Sequence, residues 1–310
     1  MPPAVSVIIP AYNKGSTITA AIQSVLAQTY NDLEIIVVDD GSTDDTPSRI
    51  LEIRHTIRYL HQERSGVSTA RNRGIEAAEG KFVAFLDGDD LWLAQKLERQ
   101  LDVFRREPKI DAVQCGAHLV NNRLEVVETR HCHPREDTLM DFLLFRNLPG
   151  LGSTLVARRS RLEAMGGFGA DLVILEDWDL ACRFARNGSF RSLPECLALY
   201  RQHVGNRSRD VDIHVEPGVR SLGRLFEDPT LEPQIRRHEP RIWARFYAML
   251  AGGYFQNGQT AQAVQWARRA LQRSPWVLGY FAGLPVRRLR KLFTSQHRRS
   301  FAAQLPFGVM

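Results

Sequence analysis

An α/β architecture is what this 310-residue chain encodes: a mostly parallel central sheet, covered by helices on both faces and followed by a C-terminal α-helical extension. Three observations lead there. Short, almost wholly apolar and β-branched runs recur at residues 5–9, 33–38 and 82–86. Helix-forming stretches separate them, and strands apolar on both faces that alternate with helices belong to parallel sheets buried on both sides. Beyond residue 240 the apolar spacing becomes helical and acidic residues stop. The domain expectation is residues 1–215 as the α/β domain, 216–240 as a proline-containing linker with some helix, and 241–310 as a basic helical region.

The elements follow in order. Val5-Ser6-Val7-Ile8-Ile9 is a short strand that Pro10 stops, and Ser16 or Thr17 can cap the helix after it. Residues 33–38 form a second strand, ended by Asp39-Asp40-Gly41-Ser42, before a helix over 43–54 and a short strand over 57–60. Residues 68–79 are alanine-rich and helical, with Gly80 as a C-cap. The strand at 82–86 runs into Asp87-Gly88-Asp89. An amphipathic helix over 92–106 follows, then strands at 112–115 and 154–157 around an irregular polar stretch, 121–150, read as a loop or lid. Residues 177–187 have helical periodicity. From Trp243, the residues Tyr247, Leu250, Tyr254, Gly258, Ala263, Ala267, Ala270, Leu271 and Pro275 fall at the spacing of one tetratricopeptide-like hairpin, with Ala251 where that pattern usually has glycine. A single such unit cannot bury its own apolar face, so it packs on the main domain or on another subunit, which leaves a homo-oligomer open.

Composition narrows the classes. The balance of 44% hydrophobic and 25% charged residues is that of a globular protein, and no apolar run reaches the ~18 residues of a membrane-spanning helix. Met1-Pro2-Pro3-Ala4 lacks a basic region leading into a long apolar segment, so no secretory leader is expected. Cys115, Cys132, Cys182 and Cys196 form no C-x-x-C pair and read as reduced thiols in a cytoplasmic protein. His131-Cys132-His133 places its ligands side by side, which is wrong for one tetrahedral metal site. The net charge of +6 is uneven: no Asp or Glu occurs from Arg241 onward. Such an end suits an anionic surface (membrane lipid, nucleic acid or an acidic polymer), and it also fits a solvated basic face with no partner.

The most informative feature is Asp87-Gly88-Asp89 at the end of a buried strand. Ligands of open α/β sheets bind at the carboxyl ends of strands. Two carboxylates separated by one glycine suit a hard divalent ion, Mn²⁺ or Mg²⁺; alone, they also make an ordinary solvated turn. Asn13, Asp39, Asp40, Asp87 and Asp89 gather along one edge of such a sheet.

The triplet does not stand alone. With it come Val5-Ser6-Val7-Ile8-Ile9-Pro10-Ala11-Tyr12-Asn13, then Glu34-Ile35-Ile36-Val37-Val38-Asp39-Asp40-Gly41-Ser42-Thr43-Asp44, and then Gly66-Val67-Ser68-Thr69-Ala70-Arg71-Asn72-Arg73-Gly74. Phe85-Leu86-Asp87-Gly88-Asp89-Asp90, Gly166-Gly167-Phe168 and Glu176-Asp177-Trp178-Asp179 complete the series. Six motifs in this order, over residues 4–208, resemble glycosyltransferase family 2. That resemblance implies the GT-A nucleotide-diphospho-sugar transferase fold (Rossmann-like) and metal-dependent, inverting transfer of a sugar from a nucleotide-sugar to an acceptor hydroxyl. A UDP-sugar is the favoured donor.

The same resemblance assigns roles. Asp89 holds the metal and Asp87 lies near the ribose, with Gly88 between them. Asp40, with Asp39 beside it, accepts from a uracil imide or ribose hydroxyls; Tyr12, beside Pro10 and Asn13, stacks on the base. Arg71 binds base or phosphate in a planar, charge-assisted way. Asp177 is the base that takes the acceptor proton, with Glu176 in support. His203, in Tyr200-Arg201-Gln202-His203, reaches the metal or the diphosphate. The residues alone leave simpler readings open. Asp39-Asp40-Gly41-Ser42 can be a turn and helix cap, Arg71 a surface ion-pair partner, Glu176-Asp177 a helix cap, and Trp92 and Trp178 packing residues.

Two other functions were weighed. A sugar nucleotidyltransferase needs a glycine-rich loop with Arg and Lys near the N-terminus, and Pro10-Ala11-Tyr12-Asn13-Lys14-Gly15 is not one. A non-catalytic nucleotide-sugar-binding or scaffolding protein has no need of intact Asp87, Asp89 and Asp177. The expected partners are a nucleotide-sugar and a glycan, lipid-linked or other hydroxyl acceptor, in cell-surface polysaccharide, lipopolysaccharide or other glycan synthesis. The aromatic stretch 276–284 followed by Arg287-Arg288-Leu289-Arg290-Lys291 suits an anionic membrane surface without crossing it, on the inner face of the cytoplasmic membrane. A core-packed tail fits it equally, and no nucleic-acid partner is expected.

Overall fold

The computed structural model describes residues 2–53, 57–133, 139–146, 148–172, 174–187, 189–202, 210–283, 300–302 and 305. The chain divides into two compact units. Unit 1 is Met1–Thr138, Asn147–His203 and Arg299–Met310; unit 2 is Leu139–Arg146 and Val204–Arg298.

Unit 1 is built on β1 (Val5–Ala11), α1 (Ile18–Leu26), β2 (Leu33–Asp39), α2 (Thr46–Leu51), β3 (Ile57–His61), α3 (Val67–Ala77) and β4 (Phe82–Phe85). β1 lies between β2 and β4, parallel to both, and β3 adds parallel to β2. Every residue of β1 is buried, as a strand covered on both faces requires. Its Val7 and Ile9 join Ile35, Val37, Ile18, Ile22 and Val25 in one apolar core. Each such side chain withdrawn from water contributes about 1.5–3 kcal/mol. Parallel pairing puts the ends of β1, β2, β3 and β4 on one sheet edge.

The chain continues through β5 (Leu91–Trp92), α4 (Lys96–Arg106), β6 (Ala112–Val120) and β7 (Val126–Arg130). α5 (Leu139–Leu143) belongs to unit 2. Back in unit 1 come α6 (Leu151–Thr154), β8 (Val156–Arg158), α7 (Arg159–Ala164), α8 (Glu176–Asn187) and β9 (Phe190–Arg201). The order across the sheet is β3-β2-β1-β4-β8-β6-β9-β5, with β7 on β6. Beyond β4 the sheet becomes mixed: β8 is antiparallel to β4 and β6, β9 is parallel to β6, and β5 is antiparallel to β9.

Three expectations change here. The amphipathic helix begins at Lys96, because Leu91 and Trp92 pair with β9. The polar stretch 121–150 contains β7 and α5. β9 was not expected at all, since Pro194 and Glu195 interrupt its apolar run. Near the chain end, Phe301 donates its N–H to Leu124 O (3.0 Å) and is buried with Leu91, Val120 and Leu199, so residues 300–302 belong with the sheet unit.

Unit 2 continues with α9 (Asp212–Glu227), α10 (Pro233–Arg236), α11 (Glu239–Gln256), α12 (Thr260–Arg273), a 3₁₀ turn at Pro275–Val277 and α13 (Leu278–Ala282). The expected linker, 216–240, is thus largely helical. α11 and α12 form the expected hairpin. Gly258 turns it at φ +78°, with Gln259 N–H donating to Tyr254 O (2.9 Å) and Gly258 N–H to Phe255 O (3.2 Å), the paired bonds of a Schellman cap. Ala244, Ala248, Ala270 and Val277 are small enough to let the helices approach.

Candidate active site

The site forms where β1, β2 and β4 end, with α3 and α8 supplying further groups. Asp40 follows β2. One of its oxygens accepts from Gln62 Nε2 and Ser65 N–H (both 2.7 Å), the other from Gly66 N–H (2.9 Å), at the start of α3. Asp39 is fully buried and accepts from Ser42 N–H (2.9 Å), Tyr59 O–H (2.7 Å) and His61 Nδ1 (3.3 Å). Burial raises its pKa, but the bonds from Ser42, Tyr59 and His61 together outweigh burial and leave it below the usual carboxylate range. The oxygens of both residues thus accept from protein groups, the contacts that a turn and a helix cap make.

The neighbouring loop is shaped by the same segment. Asn13 sits at φ +51°, a conformation asparagine tolerates, with its Oδ1 accepting from Thr43 N–H (2.8 Å). Tyr12 is covered by Arg64, whose guanidinium lies 3.9 Å from the ring centroid and donates to the phenol oxygen (2.7 Å). Pro10, the sixth residue of β1, pairs with Val38, and its carbonyl lies 3.3 Å from where a Cβ on Gly88 would stand.

At the end of β4 the carboxylates face cations. Arg71, on α3 and almost wholly buried, donates from Nη2 to Asp87 Oδ1 (2.6 Å) and from Nη1 to Glu176 Oε1 (2.7 Å). Burial opposes its charge, yet Asp87, Glu176 and Asp177 raise its pKa and keep it protonated. Arg71 was expected to face a base or a phosphate, or to be a surface ion-pair partner. It is an ion-pair partner, in the interior. Phe168 lies under it, 5.1 Å from the guanidinium carbon, and the Phe168 backbone is clamped both ways by the Asn72 side chain (2.8 Å each). A Cβ on Gly167 would stand 2.4 Å from Asn72 Oδ1, which explains the glycine in Gly166-Gly167-Phe168.

Glu176 and Asp177 open α8, just after Leu175 at φ +64°, a strained conformation for leucine. Burial pushes Glu176 up to about 7, against Arg71 and with help from the Asp177 charge. Burial likewise raises Asp177; Arg71 and the Trp178 amide oppose it, and Asp87 adds to it. Trp178 is buried, as a packing residue should be.

Asp89 forms an ion pair with Lys14 through Oδ2. Asp90, next to it, is buried and accepts from Ser153 O–H (2.5 Å) and Arg201 N–H (2.8 Å); burial, Asp89 and Asp87 push its pKa well above the usual range. Ser153 also accepts from Asp87 N–H (3.1 Å), and Arg201 Nε donates to Asp89 O (2.9 Å). Below them Trp92 Nε1 donates to Ser153 O (2.8 Å), and the Trp92 ring centroid lies 3.9 Å from the ammonium of Lys96, a fully buried lysine that burial pushes down to about 8. Sequence reasoning missed Lys14, Ser153, Arg201 and Gly152. The last has no room for a side chain, since a Cβ there would stand 2.6 Å from Arg71 Nη2 and 2.7 Å from Asp87 Oδ2. Single residues of this kind carry no spacing that could have found them.

The ammonium of Lys14 shows that the Asp89 carboxylate attracts a cation. Among the described residues no three His, Cys, Asp or Glu side chains converge on one point. That suits Mg²⁺ or Mn²⁺ held by one or two carboxylates and completed by substrate phosphates. The donor set fits such an ion at Asp89, near Asp87. His203 lies outside the described residues.

Fold and site together define a nucleotide-diphospho-sugar transferase architecture of the GT-A type. A mannosyltransferase from Pyrobaculum calidifontis, solved with GDP-Man and Mn²⁺, has this fold, with a TM-score of 0.60 at 21% identity over 96% of this chain and 84% of its own. The family model for glycosyl transferase family 2 matches residues 6–165, and the chain belongs to that family. An uncharacterized glycosyltransferase of Rickettsia prowazekii is 35% identical over 208 residues, 65% of either chain, so the match stops short of two thirds of that relative's length. The UDP-Glc:alpha-D-GlcNAc-diphosphoundecaprenol beta-1,3-glucosyltransferase WfgD of Escherichia coli is 42% identical over 120 residues, 38% of this chain and 47% of its own.

Proposed function

We propose that this chain is a metal-dependent inverting glycosyltransferase that moves a sugar from a nucleotide-sugar, in the first place a UDP-sugar, to a hydroxyl of a lipid-linked or other glycan acceptor in cell-surface glycan synthesis. The observation that carries it is one buried guanidinium, Arg71, shared by carboxylates from the end of β4 and the start of α8, beside an Asp89 that already holds a cation.

Asp177 is the base. The acceptor oxygen attacks the anomeric carbon opposite the diphosphate; the carbon–oxygen bond to the diphosphate breaks with its electron pair, and the acceptor proton passes to the Asp177 carboxylate. A carboxyl with its pKa raised toward neutrality is the better base for this. Glu176 holds Arg71, and Arg71 fixes Asp87 on the ribose side. Tyr12 with Arg64 forms a shelf for the base, and Asp39 and Asp40 fix the loops around it. Asp89, with Asp87 near it, would hold a divalent ion, which when bound offsets charge on the departing diphosphate. The likeness to WfgD, a UDP-Glc:alpha-D-GlcNAc-diphosphoundecaprenol glucosyltransferase, supports a UDP-sugar donor and a lipid-diphosphate acceptor, while the mannosyltransferase carries GDP-Man, so the nucleotide is the first thing to test. No described helix is long and apolar enough to cross a membrane, and the acid-free basic end supports a peripheral place on the inner face of the cytoplasmic membrane.

The test is nucleotide release from a panel of UDP- and GDP-sugars with Mn²⁺. Release above background is expected from a UDP-sugar, lost on Asp89→Ala and on Asp177→Asn in proteins that still melt cooperatively. Nucleotide binding without release from any donor would instead support a non-catalytic binding protein.

A further inference from the structure

Six large apolar side chains stand well exposed among the described residues, and four of them fall between positions 264 and 278: Val264 (68% exposed), Leu271 (37%), Trp276 (41%) and Leu278 (58%). They form a pattern. Val264 and Leu271 stand seven apart on α12, two turns along one stripe, with Arg268 one turn from each. The buried side of α12, Ala263, Trp266 and Ala270, lies about a third of a turn round the helix from this stripe. Leu278 opens α13, directly after Trp276 and the buried Val277.

The cations of this region lie on aromatic rings. The Arg241 guanidinium carbon is 3.9 Å from the Trp276 centroid, Arg245 is 4.4 Å from Tyr280 and Arg269 is 4.6 Å from Trp266. No Asp or Glu follows Glu239 in the sequence, so this stretch has no carboxylate side chains of its own.

Accepting the lipid-linked acceptor proposed above, we propose that the outer face of α12, with the 3₁₀ turn and the start of α13, is a contact surface for an anionic lipid bilayer. Charge decides against a second copy on this face, since a symmetric contact would bring Arg268, one turn from both apolar residues, against its own counterpart. Chemistry decides against a purely ionic partner such as nucleic acid, which would leave Val264, Leu271 and Leu278 in water. A phosphate-rich bilayer surface meets both demands: acyl chains take the apolar stripe, headgroups take the arginines, and tryptophan and tyrosine lie at the boundary.

Flotation of the full chain with vesicles tests this. The wild type floats with phosphatidylglycerol-containing vesicles and not with pure phosphatidylcholine. Val264→Asp with Leu271→Asp lowers partitioning by about tenfold or more, and Arg268→Gln by about fivefold. Leu51→Asp, on exposed Leu51 of α2, leaves it unchanged. A double aspartate variant that floats like the wild type overturns the assignment of this face while leaving a peripheral enzyme intact. A wild type that floats with neither vesicle overturns the membrane placement as well. A wild-type dimer by light scattering that the double variant converts to monomer makes the face a protein interface and overturns the proposal. Donor-dependent nucleotide release by the same variants reads sugar transfer separately.

Discussion

Two sets of carboxylates end β2 and β4, the strands on either side of β1, and live in different surroundings. After β2, Asp39 and Asp40 accept from backbone amides and neutral or weakly basic side chains: Ser42, Tyr59, His61, Gln62, Ser65 and Gly66. After β4, Asp87 and Asp89 meet full cations, Arg71 and Lys14. The first set shapes loops and should be felt mainly in stability. The second holds charges that a diphosphate and its ion can rearrange, and should be felt mainly in function. A carboxylate at a strand end is therefore not a ligand by position; what it already holds decides.

That contrast can be broken most directly by matched substitutions. Asp89→Ala is expected to lower turnover by about 10²–10³-fold while leaving the melting temperature near that of the wild type. Asp40→Ala removes the acceptor for two loop amides, at a cost of about 1–3 kcal/mol, and should lower the melting temperature by several degrees. Thermal melts and steady-state rates on both proteins check this; a stable, inactive Asp40→Ala protein would erase the distinction.

Proton affinity sharpens it next. Asp177 must be ionised to accept a proton, and burial raises its pKa, so turnover should rise with pH through an acid limb above the ordinary carboxylate range. Glu176→Gln removes a neighbouring negative charge, lets Asp177 ionise more readily and moves the limb to lower pH. A pH–rate profile reads both; a wild-type limb near pH 4 would refute the assignment.

The smallest effect concerns Lys14. A divalent ion must displace its ammonium from Asp89, so Lys14→Ala should tighten Mn²⁺ binding by about two- to fivefold, the worth of a partly exposed ion pair. Free Mn²⁺ measured by electron paramagnetic resonance decides it, and equal or weaker binding would show that Lys14 does not compete.

The parallel half of the sheet was legible because β1, β2 and β4 are continuous apolar runs closed by polar turns, a pattern only a doubly covered strand explains. The loops carrying Asp39, Asp40, Asp87 and Asp89 were legible for the same reason. β9 was not, because Pro194 breaks its pattern and its register against β6 shifts at Cys115, Gly116 and Ala117. β7 is a polar strand that pairs with β6 alone and resembles a loop in composition. Asp87, Glu176 and Arg71 were named from motifs, but their joining through one guanidinium is a tertiary fact that no local spacing contains. Lys14 and Ser153 act through single side chains and left no periodic trace.

Arg71 has one more consequence. Its two bonds span 16 residues to Asp87 and 105 to Glu176. A buried guanidinium missing either anion is costly, so the three segments gain most by arriving together. Closing the longer span is among the more expensive entropic steps available to the chain. The pocket thus has no useful half-assembled form: its geometry exists only while α3, the end of β4 and the start of α8 are all in place.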